Sequence, residues 1–268
     1  MRRSPLRQKQ TLGLNVQEVI TLGKVLKESE LRAFVKCSQF FHYGGLVEET
    51  IVQSIVRKTV EYMIAYSLRE PITNPALSFK SALRRIWVAE NIDEKFSPIE
   101  SQEFLRAATY ALHAIWLALN PTELIPVIGA LSHRVVVSKT PIDLHVSGIF
   151  RRQKNKELVV PFFTPYAYNH SVETDPVLYL QMNTVAQFGT KHHSRPTVTI
   201  IAFQINSSGE VTISEIRDTD YTGVQLKSTE RVVMALETGY HYPIVPCAYR
   251  CPFKLNCFPG RKDEFIRN

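Results

Sequence analysis

The chain has 268 residues, 44% of them hydrophobic and 21% charged, with a formal net charge of +7. That composition fits a folded globular protein with ample core and excludes a disordered or low-complexity polymer. No apolar run approaches the roughly 18–20 residues of a membrane span, so no membrane partner is expected; the basic excess favours polyanions.

Residues 1–24 are basic and aperiodic and read as an N-terminal arm, with no apolar signal-peptide core behind them. The expected location is therefore cytoplasmic, and residues 25–268 read as a single domain. "KESELRAFVKCSQFF" predicts a helix with Ser29 as its N-cap. In "LVEETIVQSIVRKTVEYMIAYSL", Val47, Ile51, Ile55, Val60, Met63 and Ile64 give the spacing of an amphipathic helix. "NPALSFKSALRRIWVAENI" and "SPIESQEFLRAATYALHAIWLALN" predict two more, the second capped by Ser97 or Ser101.

After Pro126 the texture changes. "HRVVVSKTP", "IDLHVSGIFRRQ" and "ELVVPFFTP" are short, rich in Val, Ile and Phe, and bounded by turn residues, as strands are. "RRQKNKE" is a charged hairpin tip between the last two. "DPVLYLQMNTVAQF" predicts a helix with Asp175 as N-cap and Pro176 at its first position. "PTVTIIAFQINSSGEVTISEIR" predicts a hairpin around Ser207-Ser208-Gly209, and "STERVVMALETG" a last helix ending at Gly239. Helices around a small mixed sheet make an α/β domain.

Three of the four cysteines, Cys247, Cys251 and Cys257, cluster at C-x3-C-x5-C spacing, and the fourth is Cys37. A reducing compartment disfavours structural disulfides, and thiolates bind zinc or iron–sulfur clusters. Spacing alone leaves two readings open: one four-thiolate metal site, or a buried helix cysteine at Cys37 beside a separate trio.

"LKESELRAFVKCSQFFHYGG" and "GYHYPIVPCAYRCPFKLNC" resemble the opening and the end of RecB-like PD-(D/E)XK nucleases, of the AddB and CRISPR-associated type. The resemblance spans roughly residues 25–258. It implies a restriction-endonuclease-like core and a [4Fe–4S] cluster on Cys37, Cys247, Cys251 and Cys257 that staples the two ends of the chain, with zinc as the alternative. The first short spacing is C-x3-C where the family has C-x2-C.

The catalytic pattern is degenerate. Where the family has Gly-x-Ile-Asp this chain has Gly148-Ile149-Phe150-Arg151, and where it has acid-x-Lys there is Pro161-Phe162-Phe163. Phenylalanine cannot hold magnesium, so the expectation is a protein without nuclease activity and with Phe150, Phe162 and Phe163 buried. The family's upstream histidine has Glu48 or Glu49 near its place, and the Gln-x-x-x-Tyr motif is half present, as Gln181 with Val185. Glu48, Asp143 and Glu157 are the candidates for relocated acidic ligands.

Nucleic-acid contacts fall to Arg151, Arg152, Lys154 and Lys156 on the hairpin tip for phosphates, Tyr166 for base stacking, and Gln181. A solvated hairpin tip explains the four basic residues equally well. The expected role is a DNA-binding or scaffold subunit of a larger nucleic-acid-processing complex, in a phage or mobile-element setting. The rival roles are a protein–protein subunit without DNA contact, and an active metal-dependent exonuclease. The oligomeric state is not set by the sequence.

Overall fold

The computed structural model describes residues 25–36, 48–69, 75–119, 123–137, 139–155, 157–164, 175–189 and 196–218. They form a mixed α/β structure with two mixed sheets flanked by helices. The elements are β1 (Leu26–Lys27), α1 (Glu28–Lys36), α2 (Ile51–Ser67), α3 (Pro75–Ala89), α4 (Ile92–Lys95) and α5 (Pro98–Ala118). They continue with β2 (Leu124–Ile128), β3 (Leu131–Val137), β4 (Thr140–Val146), β5 (Ile149–Arg152) and β6 (Leu158–Thr164). Last come α6 (Pro176–Gly189), β7 (Val198–Ile205) and β8 (Val211–Arg217).

The larger sheet has the order β2-β5-β6-β7-β8, with β6 and β7 parallel and the other pairs antiparallel. The smaller sheet has the order β1-β4-β3. The two-residue period of a strand sends alternate side chains of β6 and β7 into two cores. Val159, Phe163, Ile201, Phe203 and Ile205 pack with α2, α3 and α5, and the rings of Phe163 and Phe203 lie 5.5 Å apart. Val160, Phe162, Val198, Ile200 and Ala202 join Leu31, β4 and α6 on the opposite face. Phe150, Phe162 and Phe163 are buried, at 5%, 1% and 5% exposure.

The helix starts follow local chemistry. Ser97 caps α5 through a reciprocal capping box with Glu100, and Ser101 lies inside that helix. Thr50 caps α2 by accepting from the Gln53 amide, and Asp175 caps α6 by accepting from the Val177 amide. At α1 the expectation needs correcting: the helix starts at Glu28, so Ser29 sits in its first turn. The end group is Glu30, whose carboxylate accepts from the Lys27 amide at 2.9 Å.

The segment "IDLHVSGIFRRQ" is two strands in two different sheets, broken at Ser147-Gly148. Glycine suits the break, because a Cβ on Gly148 would stand 2.7 Å from Ile64 Cδ1 and the buried Ile64 side chain would have to shift. Strand β2 and the short elements β1 and α4 carry no strong sequence signal. Among the described residues no helix is long and apolar enough to cross a membrane. The arm 1–24, the last predicted helix and all four cysteines lie outside the described residues.

Candidate functional site

A cavity of about 400 Å³ opens where α1, the start of α2, the β4–β5 link, the C-terminal end of β6 and α6 converge. From α1 it receives Glu28 and Arg32, and from residues 48–57 it receives Glu48, Glu49 and Arg57. His145 comes from the end of β4, Ser147 from the β4–β5 link, Pro161, Phe162 and Phe163 from β6, and Gln181 from α6.

Each wall is fixed by an identifiable bond. Gln53, fully buried, donates to the Thr164 carbonyl and pins the first turn of α2 to the end of β6. Strand β1 pairs with β4 only as far as Asp143, so the next outward-facing backbone groups of β4 lack a strand partner. Side chains take over: the His145 amide donates to Glu28 at 2.6 Å, and Gln181 donates to the His145 carbonyl at 2.7 Å. This satisfies buried backbone groups that would otherwise be costly.

Behind the cavity wall Glu61 Oε1 accepts from His145 Nε2 at 2.7 Å, Arg57 Nη1 at 2.8 Å and Ser147 Oγ at 2.9 Å. Arg57 also makes a two-pronged pair with Glu49, at 2.7 and 3.0 Å. On the α1 side, buried Arg32 pairs with buried Asp175 at 3.0 Å, reaches Glu28 at 3.4 Å and lies over the Phe162 ring.

These contacts set the protonation states. Burial alone would push Glu61 up, but the bonds from His145 and Arg57 outweigh it and hold the carboxyl below its usual value. The bond to Glu61 raises His145 above its usual value, against burial. Among the described residues the cavity lining sets Glu28, Glu48 and Glu49 against Arg32, Arg57 and His145, with Glu61 and Asp175 behind it.

The pair predicts a pH window. His145 has a raised folded pKa, so its contribution is full below about 6.5 and is lost as pH rises through the folded value. Glu61 has a lowered folded pKa, so its contribution is present above about 4.5 and is lost as pH falls through the folded value. Thermal melts of wild type and His145→Gln across pH 5–9 should therefore converge as pH rises above neutrality. A difference that stays constant with pH would mean His145 is uncharged against Glu61.

The predicted site residues are only partly brought together. Glu48 and Gln181 reach the cavity. Gln181 is buried and its amide nitrogen is held by His145 and Glu28. Asp143 lies on the exposed side of β4 in a two-pronged pair with Arg134, at 2.6 and 3.0 Å. Glu157 is buried at the start of β6, bonded to Thr199 and paired with Arg152 at 2.9 Å. The three candidate acids are thus not neighbours around one site.

Arg151 is opposite Leu158, at the hairpin end of β6, whereas Pro161 and Phe163 are at its cavity end. The position where the family resemblance expects aspartate is therefore not at the cavity. Arg152 is also held by Glu215 at 3.3 Å, and Lys154 is 3.9 Å from Glu123. Lys156, Tyr166, Cys37, Cys247, Cys251 and Cys257 lie outside the described residues. Among the described residues, no group of three or more His, Cys, Asp or Glu side chains is placed to hold a metal ion.

Sequence reasoning missed Arg57, Glu61, His145 and Ser147. The available signal was "HVSG", a histidine and a serine interrupting an apolar strand ahead of a glycine.

No family model and no curated protein matches the chain. A solved structure described as "Crystal structure of SSO0001" is similar over 85% of this chain and 95% of that one, at 12% identity and a TM-score of 0.28. A likeness at that TM-score carries no argument about fold or function.

Proposed function

We propose that this chain is a RecB-like PD-(D/E)XK protein that has lost hydrolysis and serves as a DNA-binding or scaffold subunit of a nucleic-acid-processing complex. One observation carries the reading. The stretches where the resemblance expects the upstream histidine, the acid-x-Lys strand and the glutamine all reach one cavity, as Glu48 and Glu49, Pro161 to Phe163, and Gln181. Their chemistry there is not that of a hydrolytic metal site. The β6 wall offers proline and two phenylalanines, and Arg57 already occupies the Glu49 carboxylate with a two-pronged bond. A catalytic magnesium needs carboxylate oxygens free to ligate it and a polar group beside the attacking water.

The four cysteines supply a donor set that fits a [4Fe–4S] cluster or zinc. A bound cluster would tie Cys37, which follows the last residue of α1, to Cys247, Cys251 and Cys257 near the C-terminus. The role of the cysteines in this reading is to hold the fold.

The test combines two measurements on anaerobically purified full-length protein. Iron and acid-labile sulfide should be stoichiometric and be lost in Cys37→Ser. Labelled single-stranded and duplex DNA should be bound at low salt and left intact with magnesium or manganese. Cleavage that disappears in Glu48→Gln would establish an active nuclease and overturn the reading. DNA binding absent at low salt would leave the protein–protein role in its place.

A further inference from the structure

Among the described residues the cavity lining sets Glu28, Glu48 and Glu49 against Arg32, Arg57 and His145, so it offers no excess of cations to a phosphate backbone. On the hairpin tip Arg152 sits between Glu157 and Glu215, and exposed Lys154 lies 3.9 Å from Glu123. A larger group of cations without carboxylate partners among the described residues lies elsewhere, on α2 and α3.

We propose that the outward face of the α2–α3 pair is the polyanion-binding surface, and that its occupant is the phosphate backbone of nucleic acid. Helix α3 contains no acidic residue and exposes Lys80, Arg84 and Arg85. Two contacts fix its alignment against α2. Lys58 meets Glu90 at 2.6 Å, and Arg85 lies 5.7 Å from the centre of the Tyr62 ring. Higher numbers on α2 match lower numbers on α3, so the helices are antiparallel. One turn further along both, Tyr66 comes level with the Lys80–Arg84 turn, with exposed Arg69 just beyond it.

This face carries cations and tyrosines together with exposed Val88 and Leu68, and Glu90 lies at one end paired with Lys58. Arg69, Lys80 and Arg84 make no ion pair with any described residue, and the partner of Arg85 is an aromatic ring. Lys80 and Arg84 are one turn apart, and like charges at that spacing destabilise a helix in isolation. A polyanion lying along the two helices removes that repulsion and releases counterions. Tyrosines between cations add stacking surface for bases of a single strand, which an acidic protein would not use. The proposal shares only its nucleic acid with the proposed function and needs neither the cluster nor the lost nuclease site.

The test compares two charge-reversal variants of the full-length protein, Lys80→Glu/Arg84→Glu on the ridge and Arg151→Glu/Lys154→Glu on the tip. Binding of a labelled 20-nucleotide single strand and the matching duplex is followed by fluorescence anisotropy from 50 to 300 mM salt. All four side chains are exposed, so unchanged circular dichroism and melting temperature are expected and serve as the control. The ridge variant should lose about tenfold or more in affinity, and its slope of log K against log salt should fall by about 2. The tip variant should stay within about threefold of wild type. The reverse pattern overturns the ridge assignment while leaving DNA binding intact. Wild type that binds anionic lipid vesicles but no DNA overturns both the ridge's occupant and the DNA reading.

Discussion

Replacing Asp175 with alanine is expected to cost about 3–5 kcal/mol of stability, the range for breaking a buried ion pair from one side. Asp175 is 1% exposed and its partner Arg32 is 5% exposed. Oδ2 accepts from Arg32 Nε at 3.0 Å, and Oδ1 caps α6 by accepting from the Val177 amide at 2.9 Å. Burial acts to lower the pKa of Arg32, and Asp175 and Glu28 outweigh it and hold the guanidinium charged. A guanidinium does not shed its proton, so removing Asp175 strands a cation in the core with Glu28, at 3.4 Å, as its nearest carboxylate. Loss of the cap accounts for about 1 kcal/mol of that cost.

The double variant Arg32→Met/Asp175→Asn separates these contributions. Asparagine keeps the cap, methionine fills the space over Phe162, and no unpaired charge remains. Its stability should recover at least half of the loss in urea unfolding at pH 7. A single-variant loss near 1 kcal/mol would mean that only the cap matters and that Arg32 reaches solvent.

The parts of the fold written in local chemistry were legible in the sequence. Helices α2 and α5 show a helical apolar spacing, and Ser97 with Glu100 marks the start of α5. The apolar runs of β6 and β7 reflect burial on both faces, as central parallel neighbours require. Strand β2 stayed hidden because Pro126 argues against a strand; it survives at the sheet edge, where one side of the strand needs no ladder partner. The break between β4 and β5 stayed hidden for a different reason. It marks the switch from one sheet to the other, at a glycine packed against Ile64, more than eighty residues away.

The same distinction runs through the site. Glu48 and Gln181 could be picked out because a resemblance supplies their positions, and both reach the cavity. Glu61 and His145 are 84 residues apart and meet only through the packing of α2 against the β4–β5 link. A lone histidine in an apolar strand gives no hint of such a partner. Arg151 shows the converse failure, since a match of local pattern placed it with the catalytic positions. Strand register, which local pattern does not set, puts it at the hairpin end.

Gly209→Ala is expected to destabilise by about 2–5 kcal/mol, from roughly 1–2 for the backbone conformation and 1–3 for forced displacement of packed groups. The β7–β8 turn is organised by Asn206, whose side-chain oxygen accepts from the Ser208 and Glu210 amides at 3.0 and 2.9 Å. That arrangement holds Gly209 at φ +87, a region side chains rarely adopt. The turn also lies against α5, so a Cβ on Gly209 would stand 2.1 Å from the Ala107 carbonyl oxygen and 2.7 Å from the Ala107 carbonyl carbon and Cα. Those obstacles are backbone, so no rotamer change relieves them; the hairpin must move off α5, taking the buried Ile205 with it. Two controls sharpen the test. Ser207→Ala, at an exposed position of the same turn, should change the urea midpoint little. Ala107→Gly should fail to rescue Gly209→Ala, because it removes a side chain that is not the obstacle. Rescue by Ala107→Gly, or a loss below about 0.5 kcal/mol for Gly209→Ala, would place the hairpin away from α5.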